Sequence, residues 1–223
     1  MPTLQTLVSF FGVSLLLALT PGPDNLFVLV QSIQRGAYAG MAVVVGLCLG
    51  LIVHTSAVAL GLAAMLSTMP LAFTLLQWCG AAYLCWLAWQ ALRPRPSNAP
   101  AGASVHHNTA TPDHAALARM VGRGLVMNLS NPKVLVFFLA FLPQFANPAQ
   151  GHIAPQILLL GLVFMLATLL VFGAIACFSG RFGALLQRHA RAHLWLDRLA
   201  GLVFLGLALR LLGSDLGAAH PSR

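Results

Sequence analysis

The sequence predicts an all-α membrane protein with six transmembrane helices, arranged as a 3+3 inverted repeat in which helices 1 and 4 are broken. Three observations carry that expectation. Hydrophobic residues make up 59% of the 223 and charged residues 7%, with 12 Lys+Arg, 4 Asp+Glu and no glutamate. Soluble domains carry about a quarter charged residues, so this chain cannot form a hydrated shell. Apolar stretches of spanning length recur along it. The two interruptions of apolar runs that carry charge, Pro23-Asp24 and Pro132-Lys133, lie 109 residues apart, close to half the chain.

Disorder is excluded, because the apolar content is far too high. The mean hydropathy is +0.85 and the pI near 10.7. The net charge of +8 does not point to nucleic acid, since cytoplasmic loops of bacterial-type membrane proteins collect arginine. About 20 apolar residues cross about 30 Å of hydrocarbon. Six stretches qualify: 4–34 (interrupted), 41–66, 69–91, 120–145, 153–179 and 194–213. The first has no Lys or Arg ahead of it and no A-x-A site, so it reads as a retained span and not as a cleaved signal peptide. The expected organisation is one transmembrane domain over 1–223, with a first half 1–92, a linker 93–118 and a second half 119–223.

The linker is rich in Pro, Ala and Ser and reads as a flexible loop. Its His106, His107 and His114 read as solvated side chains, and no metal or cofactor is expected. Cys48, Cys79, Cys85 and Cys177 lie in apolar runs without CxxC spacing. They read as small buried hydrophobes, without a disulfide framework or a zinc site. Trp78, Trp86, Trp89 and Trp195 fit interfacial belts. No Gly-rich phosphate loop, H-E-x-x-H helix or G-x-S-x-G elbow occurs, so neither an enzyme nor an ATP-driven pump is expected.

Arginines set the orientation. The odd-numbered loops and their edges hold Arg35, Arg93, Arg95, Arg119, Arg123, Arg181, Arg188, Arg191 and Arg198, whereas the opposite side holds Arg210 and Arg223. The positive-inside rule places the odd loops in the cytoplasm and both termini outside. Three spans per half then require the halves to lie in opposite orientations. A shift of 109 residues superposes Pro23-Asp24 on Pro132-Lys133 and Leu26 on Leu135. Inverted repeats with facing broken helices are a transporter plan, with the substrate near the membrane midplane.

The chemistry concentrates at these breaks. Thr20-Pro21-Gly22-Pro23-Asp24-Asn25 removes two backbone donors and one side chain, so a continuous helix is not expected there. Asn128-Leu129-Ser130-Asn131-Pro132-Lys133 interrupts the fourth span and adds side chains that can occupy freed backbone groups. Irregular backbone at membrane depth is tolerated where it is buried or lines a wet cavity. Asp24 is 11 residues from Arg35 and Lys133 is 10 from Arg123, or about 16 and 15 Å of helix, which brings both charges close to the midplane. A lone charge at that depth costs roughly 2.5–3.5 kcal/mol. Buried pairs stabilise poorly relative to apolar packing. Keeping this one beside two broken helices therefore favours a transport site over a structural pin, although the pin stays open.

His54 follows Gly46 and Gly50 at helical spacing and faces the stripe where another helix can approach closely. An interhelical hydrogen bond is the first reading, with proton relay or substrate lining as the second. The same glycine pair could act within or between chains, so a homo-oligomer is possible. Gln77, Tyr83 and Thr168 are further polar residues within spans.

The segment Thr20-Pro21-Gly22-Pro23-Asp24, taken with Asn128-Leu129-Ser130-Asn131-Pro132-Lys133 and the following Phe137-Phe138-Leu139 and Phe141-Leu142-Pro143-Gln144-Phe145, resembles the lysine exporter / homoserine–threonine exporter (LysE/RhtB) family. The resemblance covers nearly the whole chain, while the central loop is longer and richer in His than that family leads one to expect. It implies a multi-pass exporter of amino acids in the bacterial inner membrane, driven by the proton gradient, with amino acid, protons and lipid as its partners. The signature positions are Pro21, Gly22, Pro23 and Asp24 with Asn25 beside them, and Asn128, Asn131, Pro132 and Lys133. One acidic residue in the membrane interior favours a neutral substrate such as threonine, homoserine or leucine over a dibasic one. Other classes remain: an exporter of another solute or ion, a thiol–disulfide carrier (which needs a Cys beside the breaks) and a non-transporting membrane scaffold.

Overall fold

The computed structural model describes residues 1–20, 22–68, 70–93, 113–179, 198–199, 201–210 and 212. Among them every regular element is helical. The first apolar run is split into α1 (Leu4–Leu19) and α2 (Pro23–Arg35). Thr3 caps α1, its side chain accepting from the Thr6 amide, as N-cap threonines do. At the far end Thr20 closes the helix by donating its amide to Leu16 O at 3.0 Å. Gly22 is extended and Pro23 takes the first helical position of α2, where its missing N–H costs nothing. The two axes diverge by 62°. α2 has Asp24 in its first turn and Arg35 in its last, each favoured by the dipole at that end. Gly36, at φ 85°, then takes the left-handed turn that glycine tolerates and reverses the chain into α3 (Ala37–Thr68). α4 is Pro70–Leu92.

The second broken run is built in the same way. α5 (His114–Leu129) ends at Ser130, Asn131 caps α6 (Pro132–Val136), and Pro132 again stands at the first helical position. The axes on the two sides of this break diverge by 54°. After Val136 the helix widens into a π turn over Phe137–Phe141 and tightens into a 3₁₀ turn over Leu142–Phe145. A further 3₁₀ turn, Pro148–Gln150, leads to α7 (Ile153–Cys177). A short apolar helix, α8, covers Gly201–Arg210. The Met1 amino group donates to Gln150 O at 2.6 Å, so the amino terminus and the α6–α7 connection lie at the same end of the molecule.

Among the described residues two helices are long and apolar enough to cross a membrane alone, α3 within Ala37–Gly61 and α7; two more spans arise if each bent pair counts as one. α3 runs through the middle, packed against α2, α5 and α7. One buried cluster gathers Phe10, Phe137, Phe138, Phe141, Phe145 and Phe164 around the π turn, and a second gathers Val28, Val43, Leu47, Met120 and Phe172. The outer face is apolar as well, with Leu60 79%, Leu71 72% and Leu162 60% exposed. That surface is explicable only if lipid tails cover it.

Two expectations need correction. α5 reaches back to His114, which thus belongs to a helix and not to a loop. Cys48 is buried and free, but Cys79, Cys85 and Cys177 are exposed. An apolar solvent removes the penalty that buries cysteine in water-soluble proteins. Trp78, Trp86 and Trp89 are exposed as expected, and Arg93 stacks 3.5 Å above the Trp89 ring. His106, His107 and Trp195 lie outside the described residues, as do most of the linker and part of the 194–213 stretch.

The glycine stripe of α3 is used within the chain. A Cβ at Gly46 would lie 2.1 Å from the Val121 carbonyl oxygen, and one at Gly124 would lie 2.3 Å from that of Val43. Small residues at this crossing let two backbones touch. Gly46→Ala is therefore expected to destabilise the protein by about 1–3 kcal/mol, the usual range for overpacking. Gly61→Ala, with nothing within 4 Å of its added Cβ, should leave the melting temperature unchanged or slightly higher; thermal unfolding in detergent compares the two.

Candidate functional site at the two helix breaks

Breaking a helix inside the membrane strands carbonyls at the end of α1 and amides at the start of α2. Side chains at the breaks take up three of these orphans, the carbonyls of Ala18, Leu17 and Thr20. Asn25 donates from Nδ2 to Ala18 O at 2.8 Å. Thr20 donates its hydroxyl to Leu16 O at 2.8 Å. Lys133, reaching across from the second break, donates from Nζ to Leu17 O at 3.3 Å and to Thr20 O at 3.2 Å. A cation at a helix C-terminus is favoured by the dipole as well as by the bonds. Gly22 stands where a Cβ would lie 3.2 Å from that Nζ. Its extended φ of −164° suits any residue, so the approach of the lysine is what calls for a small one.

Asp24 and Lys133 both occupy the second position of their half-helices and are 3% and 7% exposed. They do not bond each other directly. Asn131 connects them: its Nδ2 donates to Asp24 Oδ2 at 2.6 Å, while its Oδ1 accepts from the Lys133 amide at 3.0 Å. One asparagine thus caps α6 and holds the carboxylate of α2. Asp24 Oδ1 and Asn25 Oδ1 have no hydrogen-bond partner among the described residues. The Lys133 ammonium carries three protons and bonds two carbonyls. Unused capacity of both signs therefore remains between the breaks.

Asn128 is buried, and its backbone oxygen lies 3.4 Å from His54 Nε2. Its Oδ1 has no partner and sits where a Cβ on Gly50 would intrude at 2.5 Å. His54 thus meets α5 on the expected face, with its ring 5.8 Å from Phe138. Asp24, Gly22, Asn25, Asn131, Pro132 and Lys133 are brought together directly, Pro23 opens α2 beside them, and Asn128 with His54 lies adjacent on α5. Pro21 lies outside the described residues. Gln77 and Thr168 are buried, and Tyr83 stacks on Trp86 at 5.4 Å; no hydrogen bond ties any of the three to the breaks. Among the described residues no cluster of His, Cys, Asp or Glu could hold a metal.

Two participants were missed. Gln31 is buried on α2 with Oε1 unpartnered. Its spacing of seven from Asp24, which puts both on one helix face, was the available signal. The other is Phe138, whose ring lies 5.8 Å from that of His54; it sits on the π turn, which no local pattern announces, and such turns occur frequently at functional sites.

Helices with apolar outer faces and charged, buried breaks define a multi-pass membrane protein with polar chemistry sealed inside. The chain belongs to the LysE type translocator family, whose pattern matches residues 15–215. It is 35% identical over 182 residues to a homoserine/homoserine lactone efflux protein of Salmonella typhimurium, covering 82% of this chain and 84% of that one. A leucine efflux protein of Enterobacter sp. (strain 638) is 30% identical, covering 87% and 89%, and a threonine efflux protein of Salmonella typhi 29%, covering 92% and 98%. No solved structure shows significant similarity to the chain.

Because Asn131 has two separable tasks, two substitutions separate them. Asn131→Ala loses both the cap and the bond to Asp24 and is expected to cost about 1–3 kcal/mol. Asn131→Asp keeps an acceptor for the Lys133 amide but sets a second carboxylate against Asp24, so it should destabilise at least as much. An Asn131→Asp variant as stable as wild type in a detergent melt would show that the bond to Asp24 contributes nothing.

Proposed function

We propose that this chain is a secondary transporter that exports amino acids across the bacterial inner membrane in exchange for protons. The observation that carries the reading is the buried pair Asp24 and Lys133, held on two broken helices through Asn131 with an oxygen of Asp24 left unpartnered. A zwitterionic amino acid complements it. The substrate ammonium bonds Asp24 Oδ1, and the carboxylate takes the remaining Lys133 proton and the N-terminal amides of α2, where the helix dipole favours an anion. A proton on Asp24 and a substrate ammonium compete for the same carboxylate, which is the simplest basis for antiport.

The relatives named for efflux of homoserine, leucine and threonine support an amino-acid substrate. Asp24 is the sole buried carboxylate among the described residues, which favours neutral substrates over dibasic ones. The matched construction of the breaks supports six spans in a 3+3 inverted repeat, rocking around the pair to expose it alternately. The arginine distribution supports cytoplasmic odd loops and external termini.

A second reading has its own observation. The bonds from Lys133 to Leu17 O and Thr20 O would also suit a clamp that only holds the broken helix closed. Counterflow in proteoliposomes against a panel of amino acids, with and without a pH gradient, tests both. Asp24→Asn should insert normally yet lose proton-coupled export by 100-fold or more, on the order of the loss when a charged pair is broken; an unchanged rate removes Asp24 from the scheme. Lys133→Met should weaken substrate affinity at least tenfold, or about 1.4 kcal/mol. Reduced abundance with unaltered affinity would favour the clamp.

A further inference from the structure

The break region is flanked by a cavity of about 750 Å³ between α2 and α5. Pro23, Phe27, Val126 and Met127 line it, Asn131 and Pro132 close its inner end, and Arg119 and Arg123 stand at the other. Neither Asp24 nor Lys133 lines it, since Asn131 stands between the pair and the groove. An amino acid has little to bind along such apolar walls. The two arginines, four residues apart on one face of α5, are both exposed, and neither guanidinium has a partner among the described residues. No acidic side chain lines the groove.

Length decides the occupant. From Arg119 to Ser130 the groove follows α5 for 11 residues, about 16 Å of helix. One leaflet of the hydrocarbon core is about 15 Å thick. The groove therefore spans one leaflet, with paired positive charge at the membrane surface and an apolar trough running to the midplane. Basic pockets between spanning helices suit anionic headgroups, and the trough suits the attached chain. We propose that this groove holds an anionic phospholipid, its phosphate against Arg119 and Arg123 and one acyl chain lying on Phe27 and Val126 as far as the paired prolines. The lipid tail would then end beside the two helix breaks, so membrane composition would bear on the elements that carry the charged pair. This inference rests on the membrane-spanning character of the chain and is independent of what the chain transports.

Native mass spectrometry of the full chain, released from micelles holding equal amounts of phosphatidylglycerol and phosphatidylcholine, tests it. Wild type should retain phosphatidylglycerol over phosphatidylcholine by roughly 30-fold, from about 1 kcal/mol per arginine. Arg119→Gln or Arg123→Gln should each cut the preference about fivefold, and the double variant should approach parity. Gly122→Leu blocks the trough without touching charge. Gly122 lines the groove and a Cβ there meets nothing within 4 Å, so the protein should fold and retain less of both lipids. Arg210→Gln, whose guanidinium lies 4.2 Å from the Phe145 ring centroid, should leave retention unchanged. Equal retention of the two lipids by wild type would overturn the proposal, as would an unaltered preference in the double variant. So would a double variant that binds lipid normally but transports poorly, since the arginines would then serve the substrate.

Discussion

A helix broken inside a membrane must find partners for the backbone groups it frees, and this structure is organised around that demand. No water in the hydrocarbon core can supply them, and each orphan would cost several kcal/mol. Some partners come from the same break, as Asn25 does for Ala18 O, and others from the chain's other break. Lys133 reaches the stranded carbonyls of Leu17 and Thr20, and Asn131 reaches the carboxylate that begins α2. The first interruption thus draws on the second, and Asn131 ties the two together. Such mutual dependence also makes the arrangement responsive: anything that competes for Lys133 or Asp24 alters how well both broken helices are satisfied.

Around this centre the packing is divided by function. The glycine contacts of α3 with α5 bring backbones together and leave no slack, so that side of the molecule is a rigid reference. Across the second break the backbone changes pitch twice in ten residues, from α to π to 3₁₀, through a nest of phenylalanines. Aromatic rings fill the space that a widened turn opens, with edge and tilted contacts such as Phe137–Phe164 at 5.1 Å. One of these rings, Phe138, also lies 5.8 Å from the ring of His54.

Belonging to a family with relatives named for several different efflux substrates is consistent with a site in which few groups recognise the constant part of an amino acid. Under the proposed reading Asp24 answers to the ammonium that these substrates share, and Lys133 to the carboxylate of those that carry one, which a lactone does not. Under the same reading, discrimination between side chains comes from the surfaces around the pair, where the described structure offers Asn25, Asn128 and Gln31.

Much was legible in the sequence because membrane solvation is a coarse and strong constraint. Apolar length marked the long helices, proline and glycine marked the two breaks, and a lone lysine at membrane depth could not be incidental. Even the parallel construction of the breaks was visible in the 109-residue spacing. These are properties of a residue against its solvent and need no knowledge of neighbours. What the tertiary structure decided were the pairings. Asp24 and Lys133 were expected to meet, yet each takes a different partner, because the end of α1 sets two freed carbonyls within reach of Lys133 Nζ while Asn131 reaches Asp24 Oδ2. The bridging duty of Asn131, the π turn and the groove beneath Arg119 and Arg123 depend on atoms distant in the chain arriving together. Hydrogen bonds act over about 3 Å, and a sequence does not record distance.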